Sequence, residues 1–452
     1  MRATLFLWVL VVVLRVGYAL WAVQIDPFLR RDPLHGDAVV HDHIAWTLVS
    51  EGRYVYEKGL QVAPAYIWLM AGVYALVGHQ PQAVRLVNAL LGLLALAGLW
   101  VMGRRLFGER VANGTLLLAA LHPHLLMITG WLYTENLVLP LLVWSMTFCV
   151  LTVSDGADTS GWRWVLVGGL LGMLALTRAS FLPFILLVAL WVWRFTVRRE
   201  PRPPDSARQE PRPPDSARQE PRPPKGMGGR SGLRAAAILL LTACLTVAPY
   251  VAYLYARFGH FIPVGLGGYV FLWANNPEAD GGFRPGLPET MVVGGKVVDV
   301  QQAIASVDPV ERDRKALRLA LQWVWENPGA FACLLWLKTR LSLSAFGLQD
   351  PGNRRLAMAL RGADLLYWLY LLMAVYGFAR MIPRRGSSSA CPYTPKVALQ
   401  WLVILLAGWV WLTIWVYAGG SRPMLPLQPY LVLGVVWGCS TLIWRTSRFG
   451  ST

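Results

Sequence analysis

GDAVVHDHIAWTLVSEGRY, residues 36–54, is a polar island between a first very apolar run and the rest of a strongly apolar chain, and the other motifs are read outward from it. A helix starts there at Asp32-Pro33 or at Asp37. From Asp37 onward, Asp37, His41, Ala45 and Leu48 fall on one face at helical spacing. Val40, Ile44 and Leu48 make an apolar stripe beside that face, so the helix lies against a membrane surface or a bundle and presents Asp37 at its edge. Two readings of Asp37 stand together at this point: an ordinary helix cap, or an acid placed for chemistry.

The surroundings fix the class. The 452 residues are 55% hydrophobic with 22 Trp, more apolar surface than one soluble core of this size holds, so the chain is a polytopic, all-α membrane protein. Residues 4–23 read as a retained first span, since no small-residue cleavage site follows them. A net charge of +17 raises the question of nucleic acid. The basic residues, however, cluster at the ends of apolar runs, which is the pattern of membrane orientation, and no nucleic-acid partner is expected. Five scattered cysteines show neither metal-ligand nor disulfide spacing.

With the N-terminus inside, 24–64 is a first outer loop, and 65–78 is an apolar helix too short to span, lying at the outer interface. The run 84–102 ends in Arg104, Arg105 and Arg110, which assigns that end to the cytoplasm. Residues 111–128 return outward to HPH at 122–124 and to Tyr133-Thr134-Glu135-Asn136, and 137–153 goes back. The stretch 164–195 reads as two short helices meeting near the outer face around Arg178 and Pro183; an arginine at that depth requires a partner or a cavity. Two identical copies of EPRPPDSARQ fill 200–219. They belong to a proline-rich cytoplasmic linker, 199–231, that lacks the apolar residues for a core. This divides the chain into an N-terminal transmembrane module, 1–198, and a C-terminal one, 232–452, with a second outer helical region at 257–362. In all, about ten spans are expected.

On that topology one side of the membrane collects Asp37, His41 and Asp42 from the first loop, Glu135 from the second, then Arg178, Asn275, Asn276, Lys338 and Arg422. Acids beside cations at a membrane surface suit transfer from a lipid-linked phosphate. The acid activates an acceptor while the cations hold the departing phosphate.

These stations resemble the GT-C membrane glycosyltransferases, in particular the bacterial family-39-like group related to protein O-mannosyltransferases and lipid A aminoarabinose transferases. The resemblance is carried by GDAVVHDHIAWTLVSEGRY, APAYIW at 63–68, RRLFGERVA at 104–112, TEN at 134–136, LTRASFLP at 176–183, FIPVGLGGYVFLWANNPEADG at 261–281 and SRPMLPLQPY at 421–430. It implies a GT-C-type bundle with periplasmic loop regions, and an inverting transferase that uses a polyprenyl-phosphate sugar at the outer face of the cytoplasmic membrane. Its partners would be that donor, an acceptor lipid, glycan or protein, and membrane lipids. The resemblance maps the catalytic acid to Asp37 and a second acidic station to Glu135, with Arg178 and Arg422 as cationic stations. His41, Asp42, Asn275, Asn276 and Lys338 complete the expected substrate-binding set. His41 stands where tyrosine is usual, Ala179 where proline often follows the arginine, and Met424 and Gln428 where a second arginine and an acid are frequent.

A divalent metal is left open as a cofactor, because Asp37 and His41 share a helix face and His35 lies close in sequence. The rival from another class is a lipid or solute transporter. Against it, neither half of the chain resembles the other, and the polar groups gather at the outer ends of the spans rather than midway.

Overall fold

The computed structural model describes residues 2–34, 36–55, 62–155, 161–196, 227–282, 286–345, 354–381 and 394–449. Helix α1 (Arg2–Ile25) is followed by α2 (Pro27–Arg31), α3 (Asp37–Glu51) and α4 (Pro64–Val77). Then come α5 (Pro81–Phe107), α6 (Glu109–Leu121), α7 (Pro123–Met127), α8 (Glu135–Ser154), α9 (Gly161–Thr177) and α10 (Leu182–Thr196). Beyond the repeats, α11 (Met227–Phe258) leads into a lobe of shorter elements: α12 (Gly268–Ala274), the strands β1 (Thr290–Val293) and β2 (Lys296–Asp299), α13 (Val300–Ile304), α14 (Pro309–Glu326) and α15 (Pro328–Ser342). Three long helices close the fold, α16 (Arg354–Ala379), α17 (Pro395–Val416) and α18 (Gln428–Phe449).

Helix starts follow local chemistry. Proline opens α4, α5, α14, α15 and α17, where its missing N–H has no intrahelical partner to lose. Asp26, Asp308 and Thr394 cap α2, α14 and α17 through their side-chain oxygens.

Eight helices among the described residues are long and apolar enough to cross a membrane, and the pair Glu109–Leu121 and Pro123–Gly130, bent by 67°, makes a ninth. The tenth expected span is α9, only 17 residues long. The bend falls at His122-Pro123, where a proline cannot continue the preceding helix. The two helices expected within 164–195 are α9 and α10, separated at Arg178, whose backbone is extended. The expected linker, 199–231, lies outside the described residues as far as 226; residues 227–231 belong to α11.

Small residues set the helix spacing inside the bundle. On α9, a Cβ at Gly168 would collide with the Leu239 carbonyl of α11, and one at Gly172 would lie 2.6 Å from Thr246 Cβ. Gly377 of α16 abuts the Gly434 carbonyl of α18 in the same way. Close backbone approach of this kind is how helices associate where lipid removes the hydrophobic drive.

The lobe adds one short hairpin to the expected helical outer region. Residues 290–299 form an antiparallel hairpin in which Val293 pairs with Lys296 across Gly294-Gly295. Both glycines have positive φ, +61° and +71°, as a two-residue turn that matches strand twist requires. Met291, Val293, Val300, Ile304, Ala316, Ala320 and Trp323 form a small core beneath it.

Candidate active site

The first loop is pinned before it reaches α3. Asp26 accepts hydrogen bonds from the backbone of Phe28 and Leu29, from the Tyr18 hydroxyl and from Trp131 Nε1. Arg85, buried on α5, donates to the Pro33 carbonyl at 2.6 Å and to the Gly130 carbonyl at 2.9 Å, tying the first loop to the second. Gly36 then turns with φ +65° and serves as the N-cap of α3 without a side chain. Asp37 is the first helical residue and makes no capping bond. The capping reading of Asp37 therefore falls, and its carboxylate points elsewhere.

The second loop is held by an amide. Asn136 Nδ2 donates to the carbonyls of Ile128, Trp131 and Tyr133, which fixes the turn that delivers Tyr133 and Glu135. Asn88 of α5 supports the same turn through the Trp131 carbonyl and accepts from the Tyr66 hydroxyl.

Four charges from four separate parts of the chain then meet. Glu135, fully buried, accepts from Arg178 Nη1 at 2.9 Å, Arg422 Nε at 2.7 Å, Arg422 Nη2 at 3.1 Å and the Thr134 hydroxyl at 3.3 Å. Arg422 Nη1 reaches Asp37 Oδ2 at 2.5 Å. The guanidinium of Arg422 also lies 4.1 Å from the ring centre of Tyr133, a cation–π contact. Two acids and two bases leave the cluster neutral. The Arg422 guanidinium beside it holds the Asp37 carboxyl down to about 2, against the partial burial that works in the other direction. Burial opposes the charge of Arg422, but Glu135 and Asp37 outweigh it and raise its pKa above the ordinary value.

Burial is graded across this cluster. Glu135 has no exposed side-chain surface, Arg422 has 23%, Arg178 31% and Asp37 50%. Glu135 is thus enclosed and has its oxygens occupied, while Asp37 faces the open side.

The remaining expected residues divide. His41 is buried beside the cluster; its Nδ1 pairs with the Leu132 carbonyl at 2.8 Å, and burial lowers its pKa. Asp42 turns away, accepting from the Tyr74 hydroxyl and lying 2.8 Å from His79 Nε2, with His79 stacked on Trp46. Lys338, Asn275 and Asn276 form a second group. Lys338 Nζ is fully buried and donates to Asn275 Oδ1 at 2.7 Å and to the Trp415 carbonyl at 2.9 Å; its pKa is pushed down to about 7 by burial. Asn275 Nδ2 donates to the Phe271 and Val416 carbonyls, and Asn276 Nδ2 to those of Leu272 and Trp273. In this arrangement two of the Lys338 donors face protein oxygens, Asn275 Oδ1 and the Trp415 carbonyl.

No three His, Cys, Asp or Glu side chains among the described residues converge as a metal set. His35, the third expected member, lies outside the described residues.

Residues 61–201 match a family model described as dolichyl-phosphate-mannose-protein mannosyltransferase. No curated protein matches the chain. Among solved structures, the oligosaccharyltransferase of Archaeoglobus fulgidus in its apo form superposes with TM-score 0.55 at 12% identity, covering 99% of this chain and 51% of that one. An oligosaccharyltransferase of Archaeoglobus fulgidus in complex with an inhibitory peptide and a dolichol-phosphate gives TM-score 0.50 at 11% identity, covering 99% and 51%. The chain shares the fold of these membrane oligosaccharyltransferase structures. It spans about half the length of the oligosaccharyltransferase structures it matches.

Within this fold, sequence reasoning placed Asp37, Glu135, Arg178 and Arg422 on one side, and the structure brings those four into contact. It missed Tyr133, Gly36 and Asn136. Tyr133 and Asn136 flank Glu135 in the quoted second-loop stretch, but nothing in their type announces a guanidinium platform or a turn anchor. Gly36 precedes the acid directly, and a glycine before a helix-starting residue was the available signal for positive φ.

Proposed function

We propose that this protein transfers a sugar from a polyprenyl-phosphate donor to an acceptor hydroxyl, with inversion, at the outer face of the cytoplasmic membrane. The observation that carries the reading is the graded cluster, in which the half-exposed Asp37 shares Arg422 with the fully buried Glu135. Asp37 orients and takes the proton of the acceptor hydroxyl. The acceptor oxygen forms a bond to the anomeric carbon, the bond from that carbon to the phosphate oxygen breaks, and the electron pair leaves on the phosphate. Arg422, with Arg178 behind it, stabilises that growing negative charge. Glu135 positions both arginines and, with its oxygens filled, takes no proton itself.

Several features support the outer face. Asp37, Glu135, Arg178 and Arg422 all sit at helix ends or breaks on one side of the bundle, beside the start of α5 through Arg85 and Asn88. Arg104 and Arg105 lie in the last turn of the same helix, about 30 Å away at 1.5 Å per residue. Arginine-rich ends belong in the cytoplasm.

Purified protein in lipid nanodiscs, given a panel of polyprenyl-phosphate sugars, is expected to release polyprenyl phosphate with at least one of them. Asp37→Asn should abolish most of that release and Asp42→Asn should spare it. Full activity in Asp37→Asn, or no release by well-folded wild type with any donor, would remove the reading.

A further inference from the structure

The Arg422 guanidinium has one committed edge and one exchangeable edge. Its Nε and Nη2 hold the two oxygens of Glu135 in a forked contact, inside the protein and braced by Arg178. Forked pairs of this kind are strong and direction-specific, and Glu135 has no exposed surface through which water competes. Nη1 alone reaches Asp37, whose side chain is half exposed. A single-point ion pair at a wet edge contributes little, about 0–1 kcal/mol in typical cases. The two halves of the same cation thus differ sharply in how firmly they are held.

That asymmetry has a chemical consequence. In the resting arrangement the acid that must take a proton is bound to the cation that must take a phosphate. Both roles cannot be filled through Nη1 at once. A phosphate oxygen that approaches Arg422 from the open side meets Asp37 as its competitor, whereas Glu135 keeps the guanidinium in place throughout.

Building on the transferase reading above, we propose that the Asp37–Arg422 pair is a substrate-exchanged latch: the phosphate of a polyprenyl phosphate displaces Asp37 from Arg422 Nη1 and so frees the carboxylate for the acceptor. The acid is masked in the empty enzyme and unmasked only where donor phosphate is present. The order of events follows, donor before acceptor. Idle protein holds the Asp37 carboxylate paired with Arg422, and released lipid phosphate competes with relatching, so it acts as a product inhibitor.

The latch makes a forecast opposite to that of an acid that contacts the donor. Removing the charge of Asp37 removes a competitor, so phosphate should bind more tightly. Farnesyl monophosphate serves as the lipid phosphate probe, with farnesol as the uncharged tail and inorganic phosphate as the headgroup alone, measured by calorimetry on the full chain in nanodiscs. Asp37→Asn is expected to bind farnesyl monophosphate about tenfold more tightly than wild type, the scale of one neighbouring like charge removed at a partly exposed site. Arg422→Lys, which retains charge but loses the fork, should bind more weakly than wild type. Asp37→Asn should bring no gain in the Arg422→Lys background.

Farnesol should bind equally to all variants, because the tail does not see the latch. A matching gain for inorganic phosphate would identify the headgroup as sufficient for exchange; a gain for farnesyl monophosphate alone would show that the lipid tail delivers it, and either supports the latch. Unchanged or weaker binding of farnesyl monophosphate to Asp37→Asn would overturn it. That result leaves the transferase reading intact, which stands or falls on turnover by the wild type and by Asp37→Asn.

Discussion

Gly36 and Tyr133 are fitted to each other: a Cβ on Gly36 would lie 2.5 Å from the Tyr133 hydroxyl oxygen. The same phenol oxygen accepts from the Asp37 backbone N–H, and the ring carries the Arg422 guanidinium on its face. One glycine therefore sets both the acid and the platform beneath its cation. Gly36→Ala meets a collision and a φ of +65° that alanine tolerates poorly, a combined cost of about 1–3 kcal/mol. It should lower the thermal midpoint and reduce turnover by more than the stability loss explains, with Tyr133→Phe restoring part of both. Wild-type turnover in a folded Gly36→Ala protein would show that Tyr133 does not position Arg422.

Glu135 and Asp37 should separate cleanly as structure against chemistry. Glu135→Gln leaves two guanidiniums facing a neutral amide at a buried position, a change that typically costs about 3–5 kcal/mol. Its expected signature is poor yield and a depressed thermal midpoint. Asp37→Asn should fold normally and lose turnover by about 10²–10⁴-fold, the usual contribution of a positioned base. Equal stability losses in the two variants would contradict the burial gradient.

Acid titration isolates the Asp37–Arg422 pair. The Asp37 carboxyl is lowered from 3.8 to about 2, chiefly by Arg422. A group lowered in the folded state adds stability above its unfolded pKa and loses it as pH falls toward the folded value. The difference in thermal midpoint between wild type and Asp37→Asn should therefore be flat from pH 7 to about 4 and shrink between 4 and 2. A difference that already changes between pH 7 and 5 would assign the titration to another group.

Lys338 gives a slope of the same sign at the other end of the scale. Burial lowers its pKa from 10.5 to about 7, so the folded state carries a penalty for the charged amine that is complete below 7 and fades toward 10.5. Wild-type stability relative to Lys338→Met should rise as pH goes from 7 to 10 and stay level below 7. The variant should also lose turnover, because Lys338 holds the Trp415 carbonyl at the end of α17, and the segment that follows is clamped to α15 through Gly419 and Gly420 and leads to Arg422. Unaltered kcat in Lys338→Met would show that this clamp does not set Arg422.

Orientation is testable with single cysteines in a cysteine-free background. Ser50 at the end of α3 and Ser206 in the repeats should label from opposite sides with an impermeant reagent. Same-side labelling would overturn the proposed topology.

Much of this was legible in the sequence because membrane proteins advertise it. Apolar runs of spanning length and arginines at their ends gave the helices and one common side for Asp37, Glu135, Arg178 and Arg422. Pairing was not legible. That Arg422 grips Glu135 by a fork and Asp37 by one arm depends on the turn anchored by Asn136 and on the break at Arg178, both fixed by packing between distant segments. The partners of Lys338 were not legible for a related reason. It reads as one of the cations on the outer side, and only the crossing of α15 with α17 and the Asn275 turn shows what encloses it. The hairpin at 290–299 was visible in MVVGGKVVD, a two-glycine turn between β-branched runs, and was overlooked because the helical period dominated its neighbours.

Asp37 and Arg422 are 385 residues apart in sequence, on either side of nearly every helix in the bundle. A ribosome adding about 5–20 residues per second exposes the acid roughly 20–80 s before the arginine exists. Through that interval Glu135 has Arg178 but not the fork that completes its bonding, so the first half of the bundle inserts with its charged centre unfinished. Completion of the site therefore waits for the segment that carries Arg422. A chain that stops short of α17 and α18 carries Asp37, Glu135 and Arg178 but lacks the guanidinium that joins them.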